Sequence, residues 1–281
     1  MSETNVQRNY KDTLFRMVFK EKKNLLSLYN ALNKTAYTNV DDLEITTLDN
    51  AIYMNYKNDI SFVFDFELML YEHQSTYNPN MPLRDLLYVS RLLQNRIRDE
   101  DLYSKKLVKI PAPKFVVFYN GTDLKPEQQT LRLSDAYEKQ QEQPALELTV
   151  IVYNINLGHN QTLLETCQLL KQYAQYVEQV RKFAKKLPLS EAIKQAVDHC
   201  IRYGILSEFL SANRAEAIVM SIFEYDEAKH LKNVREEGRE EGESRVIELM
   251  QHLTADEKTE ALKRVLDDRA YREQLYREYG L

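Results

Sequence analysis

The chain has 281 residues and a formal net charge of −5 at pH 7, with 43% hydrophobic and 29% charged residues. This profile is typical of a globular protein with one sizeable core and an appendage, or with two small domains. The negative charge argues against a protein that coats nucleic acid through its overall field, but it does not exclude an enzyme with a local basic groove.

The cysteine and hydropathy patterns favour a cytoplasmic protein. Cys167 and Cys200 each occur alone in a helical pattern, as reduced thiols that pack as small apolar groups do. No apolar run reaches bilayer length, and the N-terminus lacks a basic segment followed by an apolar one. We therefore expect neither a membrane span nor a signal peptide.

The first predicted helix covers residues 12–32, where apolar residues recur at mostly helical spacing. Asp12 is its predicted N-cap, because a carboxylate accepts the free backbone N–H groups of a first turn. Residues 60–64 and 68–71 read as two short strands that turn around Asp65 and Phe66. A loop rich in Asn and Pro follows at residues 77–82, with Pro82 in the first turn of the next helix.

Later residues complete an α/β pattern. Residues 114–119 and 148–153 are continuous apolar runs, as expected of strands buried on both faces. After Thr162 the chain looks wholly helical, and Gly204 is predicted to end one of these helices. The sequence thus predicts an α/β core with a small mixed sheet flanked by helices, followed by a C-terminal helical extension.

Three parts of the chain are predicted from these patterns. Residues 1–160 form the core, residues 161–223 form a helical extension packed on it, and residues 224–281 form a charged helical tail. Between Glu224 and Glu248 nine acids face five Lys and Arg residues, as in a solvated helix or linker. Self-association through the tail, giving a homo-oligomer, is one hypothesis for its role.

Two acids at the predicted hairpin carry the chemistry. If the strands turn about residues 65 and 66, Asp59 lies directly opposite Glu72, and Gln74 shares the face of Glu72. Two carboxylates this close repel each other unless a cation neutralises them, and a hard divalent cation prefers oxygen ligands. We therefore predict that Asp59 and Glu72 hold Mg²⁺ or Mn²⁺, with Gln74 orienting water or a phosphate. In the alternative, both acids simply face solvent.

The chain resembles the Rpn family of recombination-promoting nucleases and transposases, within the PD-(D/E)XK superfamily. The main matching runs are residues 57–62 (Lys-Asn-Asp-Ile-Ser-Phe), 71–76 (Tyr-Glu-His-Gln-Ser-Thr) and 78–84 (Asn-Pro-Asn-Met-Pro-Leu-Arg). Further matches lie at residues 118–121, 153–156 and 204–210 and near Gly238 and Gly242, so the likeness covers roughly residues 10–245.

This resemblance implies a PD-(D/E)XK restriction-endonuclease-like core and metal-dependent DNA endonuclease activity linked to recombination or mobile elements. The aspartate of the superfamily pattern falls on Asp59, its second acid on Glu72 and its lysine on Gln74. Glutamine supplies only a dipole where lysine supplies a charge, which predicts slow or tightly regulated cleavage. A catalytically weak or inactive DNA-binding or assembly protein on the same fold is the alternative.

Other polar residues have two interpretations each. Arg84 and Arg91 lie seven apart on one predicted helix and suit phosphate contacts, or else pair with Asp85 or Glu100. Between Arg84 and Lys114 eight basic residues stand against four acids, a modest local excess. His73 points away from Glu72 on its strand, so we expect a core histidine rather than a general base.

Overall fold

The computed structural model describes residues 14–47, 59–222 and 245–256, and of the remaining C-terminal part residues 258, 261, 264–265 and 268–279. Asp12, Gly238 and Gly242 lie outside the described residues, so the predicted N-cap stays a prediction. The chain divides into two compact units, Met1–Tyr225 and Asp226–Leu281. No helix among the described residues is both long and apolar enough to cross a bilayer.

Two helices, α1 (Leu14–Phe19) and α2 (Lys22–Asn33), stand where the sequence predicts one, so the prediction of a continuous helix was wrong. The break falls before Glu21, whose backbone is extended. Leu25 and Leu26 follow Val18 and Phe19 by seven residues, about two helical turns, so on a continuous helix both groups would share one face and the apolar spacing does not reveal the break. Both helices contribute to one core.

A mixed sheet of six strands forms the centre of the first unit. The strands are β1 (Glu44–Ile45), β2 (Ile60–Phe64), β3 (Glu67–Gln74), β4 (Ala112–Tyr119), β5 (Gln128–Arg132) and β6 (Thr149–Asn154). Their order is β1-β2-β3-β4-β6-β5. Strands β3, β4 and β6 run parallel, and the other neighbours are antiparallel. The carboxyl ends of β3, β4 and β6 therefore lie at one edge.

The hairpin between β2 and β3 turns at the predicted residues. Asp65 and Phe66 have φ of 48° and 60°, the positive values that a type I′ turn requires at both central positions. The carboxylate of Asp65 accepts a hydrogen bond of 2.8 Å from the Tyr37 hydroxyl, which helps to hold this non-glycine turn. Ile60 pairs with Tyr71, which confirms the predicted register.

Helices lie on both faces of the sheet. They are α3 (Met81–Arg96) and α4 (Asp99–Leu102) between β3 and β4, then α5 (Gln161–Thr166), α6 (Gln168–Ala184), α7 (Leu189–Arg202) and α8 (Ser207–Ala212). Residues 214–222 are also helical. Gly204, at φ +74°, follows α7 in a backbone conformation that strains other residues, as predicted for a helix end.

The sheet separates two apolar cores. The larger core joins α1, α2 and α5–α8 to one face, which carries Phe62 and Tyr71. The smaller core joins α3 to the other face through Leu70, Val117 and Tyr88. Because α5–α8 share a core with the sheet, residues 161–222 pack as part of the first unit. The mixed α/β class of the prediction is confirmed.

The sequence does not predict β1 and β5. Strand β1 has only two residues, both exposed, and in β5 only Leu131 is buried. Edge strands have one neighbour and one solvated side, so they lack the apolar alternation that marks a central strand.

The second unit contains a small core of its own. Its buried members are Leu249, Leu253, Val265, Leu275 and Tyr276. Residues 245–255 are helical, and a helix designated α9 (Arg269–Tyr279) carries the last two of these residues.

Candidate active site

Asp59 and Glu72 meet through reciprocal hydrogen bonds at the start of β2. The backbone N–H of Asp59 donates to Oε1 of Glu72 at 3.0 Å. The backbone N–H of His73 in turn donates to Oδ2 of Asp59 at 2.7 Å. Each carboxylate thus accepts a hydrogen bond from the backbone of the segment that carries the other acid. Asp59 and Glu72 are the next pair in register after Ile60 and Tyr71. The two acids lie side by side, as the sequence predicts.

The two faces of β3 carry different polar groups. Leu70 belongs to the core under α3, so Glu72 and Gln74, at even spacing from it, face α3. Tyr71 belongs to the larger core, and His73 faces that side. The predicted separation of Glu72 from His73 is therefore observed.

Helix α3 brings three polar side chains to Glu72. Nη2 of Arg84 lies 3.8 Å from Oε2 of Glu72, a long ion pair. The same guanidinium donates to the hydroxyl of Tyr88 at 2.9 Å. Asp85 is only 1% exposed, and its Oδ1 has no hydrogen-bond partner among the described residues. The predicted pairing of Arg84 with Asp85 is not observed as an ion pair, because Arg84 turns to Glu72 and Tyr88.

The site gathers acidic side chains whose ionisation is opposed by burial. Burial raises the pKa of Glu72 well above its usual range, the neighbouring Asp59 and Asp85 raise it further, and Arg84 opposes them. Burial also raises the pKa of Asp85 to about 7, against the influence of Arg84. A cation bound near these groups would relieve both the repulsion and the desolvation.

The residues present fit a hard divalent cation with few protein ligands. Among the described residues, no group of three or more His, Cys, Asp or Glu side chains is arranged to hold a metal ion. Mg²⁺ commonly uses one or two carboxylates and completes its shell with waters and substrate phosphates, so a pair is sufficient. Asp59 and Glu72 are that pair, and Asp85 lies near enough to raise the pKa of Glu72 without completing a three-residue metal site.

Gln74 lies beside the acids but is already used locally. It is 8% exposed, and its Oε1 accepts a 3.3 Å hydrogen bond from the backbone N–H of Asn78. This bond ties the end of β3 to the Asn- and Pro-rich loop that leads into α3. Gln74 therefore positions the loop, and a role toward water or phosphate stays a prediction.

Arg91 lies apart from the site. It is exposed on α3, roughly 10 Å along the helix from Arg84 at about 1.5 Å per residue. The described residues give it no ion pair, so the alternative pairing with Asp85 is not observed, and the side chain of Glu100 lies outside the described residues.

His73 is a core residue. Its Nε2 and the hydroxyl of Tyr173 lie 3.0 Å apart, and its ring stacks on Phe15 with centroids 5.1 Å apart. Burial lowers its pKa to about 3, so the ring is neutral near pH 7. A role as general base at the acids is excluded by its face of the sheet.

Asp85 is the site residue that the sequence analysis missed. Met81, Asp85, Tyr88 and Leu92 are spaced four, three and four residues apart, so Asp85 occupies the buried stripe of α3. The sequence signal that could have identified it is an acid at a core position of an amphipathic helix. Burying an unpaired carboxylate costs free energy, so such a residue is a candidate for a functional role.

Comparisons with protein-family models, with curated proteins and with solved structures found no match to this chain. The resemblance to the Rpn family therefore rests on the residue runs quoted above and stays a prediction.

Proposed function

We propose that the protein is a metal-dependent DNA endonuclease of the PD-(D/E)XK type that hydrolyses phosphodiester bonds. The observation that carries the proposal is the side-by-side placement of Asp59 and Glu72, with Glu72 buried near a further acid, Asp85. Buried acids whose surroundings oppose their charge are common at functional sites, because structure alone gains nothing from them. The sequence resemblance adds the substrate class and a setting of recombination or mobile elements.

Asp59 and Glu72 would hold Mg²⁺ or Mn²⁺, which when bound polarises a phosphate group and activates water for attack. The protein contributes the rest of the site. The backbone N–H groups of Asp59 and His73 fix the orientation of the two carboxylates. Two elements with defined backbone thus hold the acids, so little reorganisation is needed when a phosphate arrives.

Arg84 is the proposed phosphate ligand. Its guanidinium reaches Glu72 and Tyr88 and keeps 36% of its side-chain surface exposed, so a phosphate has access to it. Because Gln74 carries no charge, Arg84 is the nearest recorded cation to Glu72 among the described residues and would oppose charge on the phosphate. On this assignment Arg84 supplies the positive charge that Gln74 lacks.

Plasmid nicking by purified protein tests the proposal. We expect conversion of supercoiled to open-circular DNA in Mg²⁺ or Mn²⁺ and none in EDTA. Asp59→Asn and Glu72→Gln should each lower the rate by at least about 10²-fold, the scale of losing one preorganised electrostatic group. Undiminished nicking by pure Asp59→Asn protein would overturn the assignment.

Glu67→Gln is the matched control. Glu67 is an acid of the same strand, about 16 Å from Glu72 at roughly 3.3 Å per residue, and it contacts Lys114 and Tyr29 instead. Glu67→Gln protein should nick plasmid at the wild-type rate. Equal loss in Glu67→Gln and Glu72→Gln would mean that general changes in charge or stability explain the effect.

A binding protein without turnover is the second candidate, and the local hydrogen bond of Gln74 to Asn78 favours it. In that case wild-type protein binds DNA with salt-dependent affinity and does not nick it. Gln74→Lys distinguishes the two, because restoring a cation raises an existing rate but cannot create one where the metal is not held.

A further inference from the structure

A cavity of about 540 Å³, lined mostly by polar and charged residues, opens at the carboxyl ends of β4 and β6. The loop after β4 contributes Gly121 and Lys125, the loop after β6 contributes Asn156, and α6 with the residue after it contributes Arg181 and Lys185. Ligands of sheets with parallel strands bind in such crevices outside the carboxyl ends. The acids of the candidate active site do not line this cavity.

The cavity begins directly beside the candidate active site. The carbonyl oxygen of Gln74 accepts a 3.0 Å hydrogen bond from the backbone N–H of Asn120. The next residue, Gly121, approaches so closely that a Cβ there would lie 2.4 Å from the Ser75 carbonyl oxygen. The end of β3 and the cavity wall are thus in contact, and only glycine permits this approach.

Hydrogen bonds between the two loops and α6 fix the walls of the cavity. The side-chain amide of Asn156 donates to the carbonyl oxygen of Gly121 at 3.0 Å, and its oxygen accepts from Nη1 of Arg181 at 2.7 Å. Arg181 also donates to the carbonyl oxygen of Asn120. The two loops and α6 are therefore joined by polar contacts, and the cavity needs little ordering on binding.

The cations of the cavity are presented without full neutralisation. Among the described residues, Arg181 donates hydrogen bonds to two neutral oxygens, and no carboxylate lies within ion-pair distance of it. Nζ of Lys125 lies 3.6 Å from the ring centroid of Tyr77, a residue of the loop that Gln74 anchors. Lys185 is exposed. Two acids, Asp123 and Glu178, also line the cavity, and Glu178 lies 3.9 Å from Lys182, which does not line it.

We propose that this cavity is a backbone-binding subsite for the DNA strand, with Lys125, Arg181 and Lys185 as its phosphate contacts. The proposal rests on the nuclease function above and adds the path of the substrate along the edge of the sheet. From β3 to β6 is two strand spacings, roughly 10 Å. At about 3.4 Å per nucleotide, this lateral separation of the strands alone corresponds to roughly three nucleotides.

Binding measured in EDTA tests the subsite without cleavage. We would titrate a short fluorescent DNA duplex with the full chain over a series of salt concentrations. The double variant Lys125→Gln, Lys185→Gln should bind roughly ten-fold more weakly, as two exposed charge contacts allow. For this variant the slope of log K against log salt concentration should be shallower by about 1.8, because each phosphate contact contributes about 0.9 to that slope.

Two further variants exclude general explanations. Lys125→Arg, Lys185→Arg keeps both charges and should restore affinity and slope. Lys139→Gln, Lys194→Gln removes two exposed lysines outside the cavity and should leave both unchanged. An unchanged affinity and slope in the first variant, or an equal loss in the third, would overturn the subsite.

Failure of the subsite is distinguishable from failure of the nuclease. Plasmid nicking by wild-type protein with unaltered binding by the glutamine pair would refute the subsite alone. Loss of affinity and slope in that pair, with no nicking by wild-type protein, would support the subsite and refute the nuclease.

Discussion

Glu72 and His73 are neighbours in β3, and their side chains enter opposite surroundings. His73 has a hydrogen-bond partner in Tyr173 and a stacked ring in Phe15, and it is neutral at physiological pH. Glu72 has Asp59 beside it and Asp85 opposite, and both raise its pKa. The fold therefore gives His73 a hydrogen-bond partner and a stacked ring, whereas it disfavours the ionised form of Glu72.

This contrast separates a structural polar residue from a candidate functional one. Burial alone does not, because both side chains are less than a tenth exposed. What differs is whether the neighbouring groups stabilise or destabilise the protonation state that the side chain prefers in water near pH 7. The predictions below test that contrast from both faces of β3.

The largest effect is expected for Arg84 on the Glu72 face. Arg84→Gln should lower the nicking rate by roughly 10²-fold, because it removes the charge that faces the phosphate. Arg91→Gln should change the rate at least ten-fold less and mainly raise KM, since Arg91 lies about two helical turns away and is exposed. Steady-state kinetics on both variants measure this, and equal losses would contradict the assignment of Arg84.

On the His73 face the effect should be on stability. His73→Ala should lower the free energy of unfolding by about 3 kcal/mol, because it leaves a cavity against Phe15 and removes the partner of the Tyr173 hydroxyl. Urea denaturation measures the loss. His199→Ala, which removes a half-buried ring that lies tilted against exposed Tyr203, should lose under about 1 kcal/mol. Loss of nicking by folded His73→Ala protein would break the contrast.

The hairpin and its acids could be predicted from sequence because their determinants are local. Two short strands and the turn at Asp65 and Phe66 fix the register, and the register fixes the opposition of Asp59 and Glu72. Strand alternation then assigns His73 to the other face. None of these steps needs information about distant parts of the chain.

The rest of the site depends on contacts between distant elements. The burial of Asp85 follows from how α3 lies on the sheet, and only its place in the apolar stripe gave a local signal. The cavity exists because β4 pairs with β6 and because α6 brings Arg181 to the ends of these strands. The polar strand β5 then forms the edge of the sheet beside β6. Periodicity does not reveal such strand order, so the subsite was not predictable.

The dependence of stability on pH should differ between wild-type protein and Asp85→Asn. Burial raises the pKa of Asp85 from 3.8 to about 7, so between these values the folded protein holds a proton that the unfolded chain releases. The free energy of unfolding therefore falls as pH rises through this window. Asp85→Asn should remove that part of the slope. Urea midpoints measured across the window test this, and parallel curves would contradict it.

The smallest expected effect has the opposite sign to that of His73. Glu72→Gln should raise the free energy of unfolding at pH 7 by about 1 kcal/mol, because it removes a buried acid whose ionisation burial, Asp59 and Asp85 oppose, and keeps an acceptor for the Asp59 N–H. Glu67→Gln should lower it, because that acid contacts Lys114 and Tyr29. Mg²⁺ should stabilise wild-type protein but not Glu72→Gln, since a ligand stabilises only the state that binds it. Destabilisation by Glu72→Gln without any Mg²⁺ effect on wild-type protein would make Glu72 a structural acid.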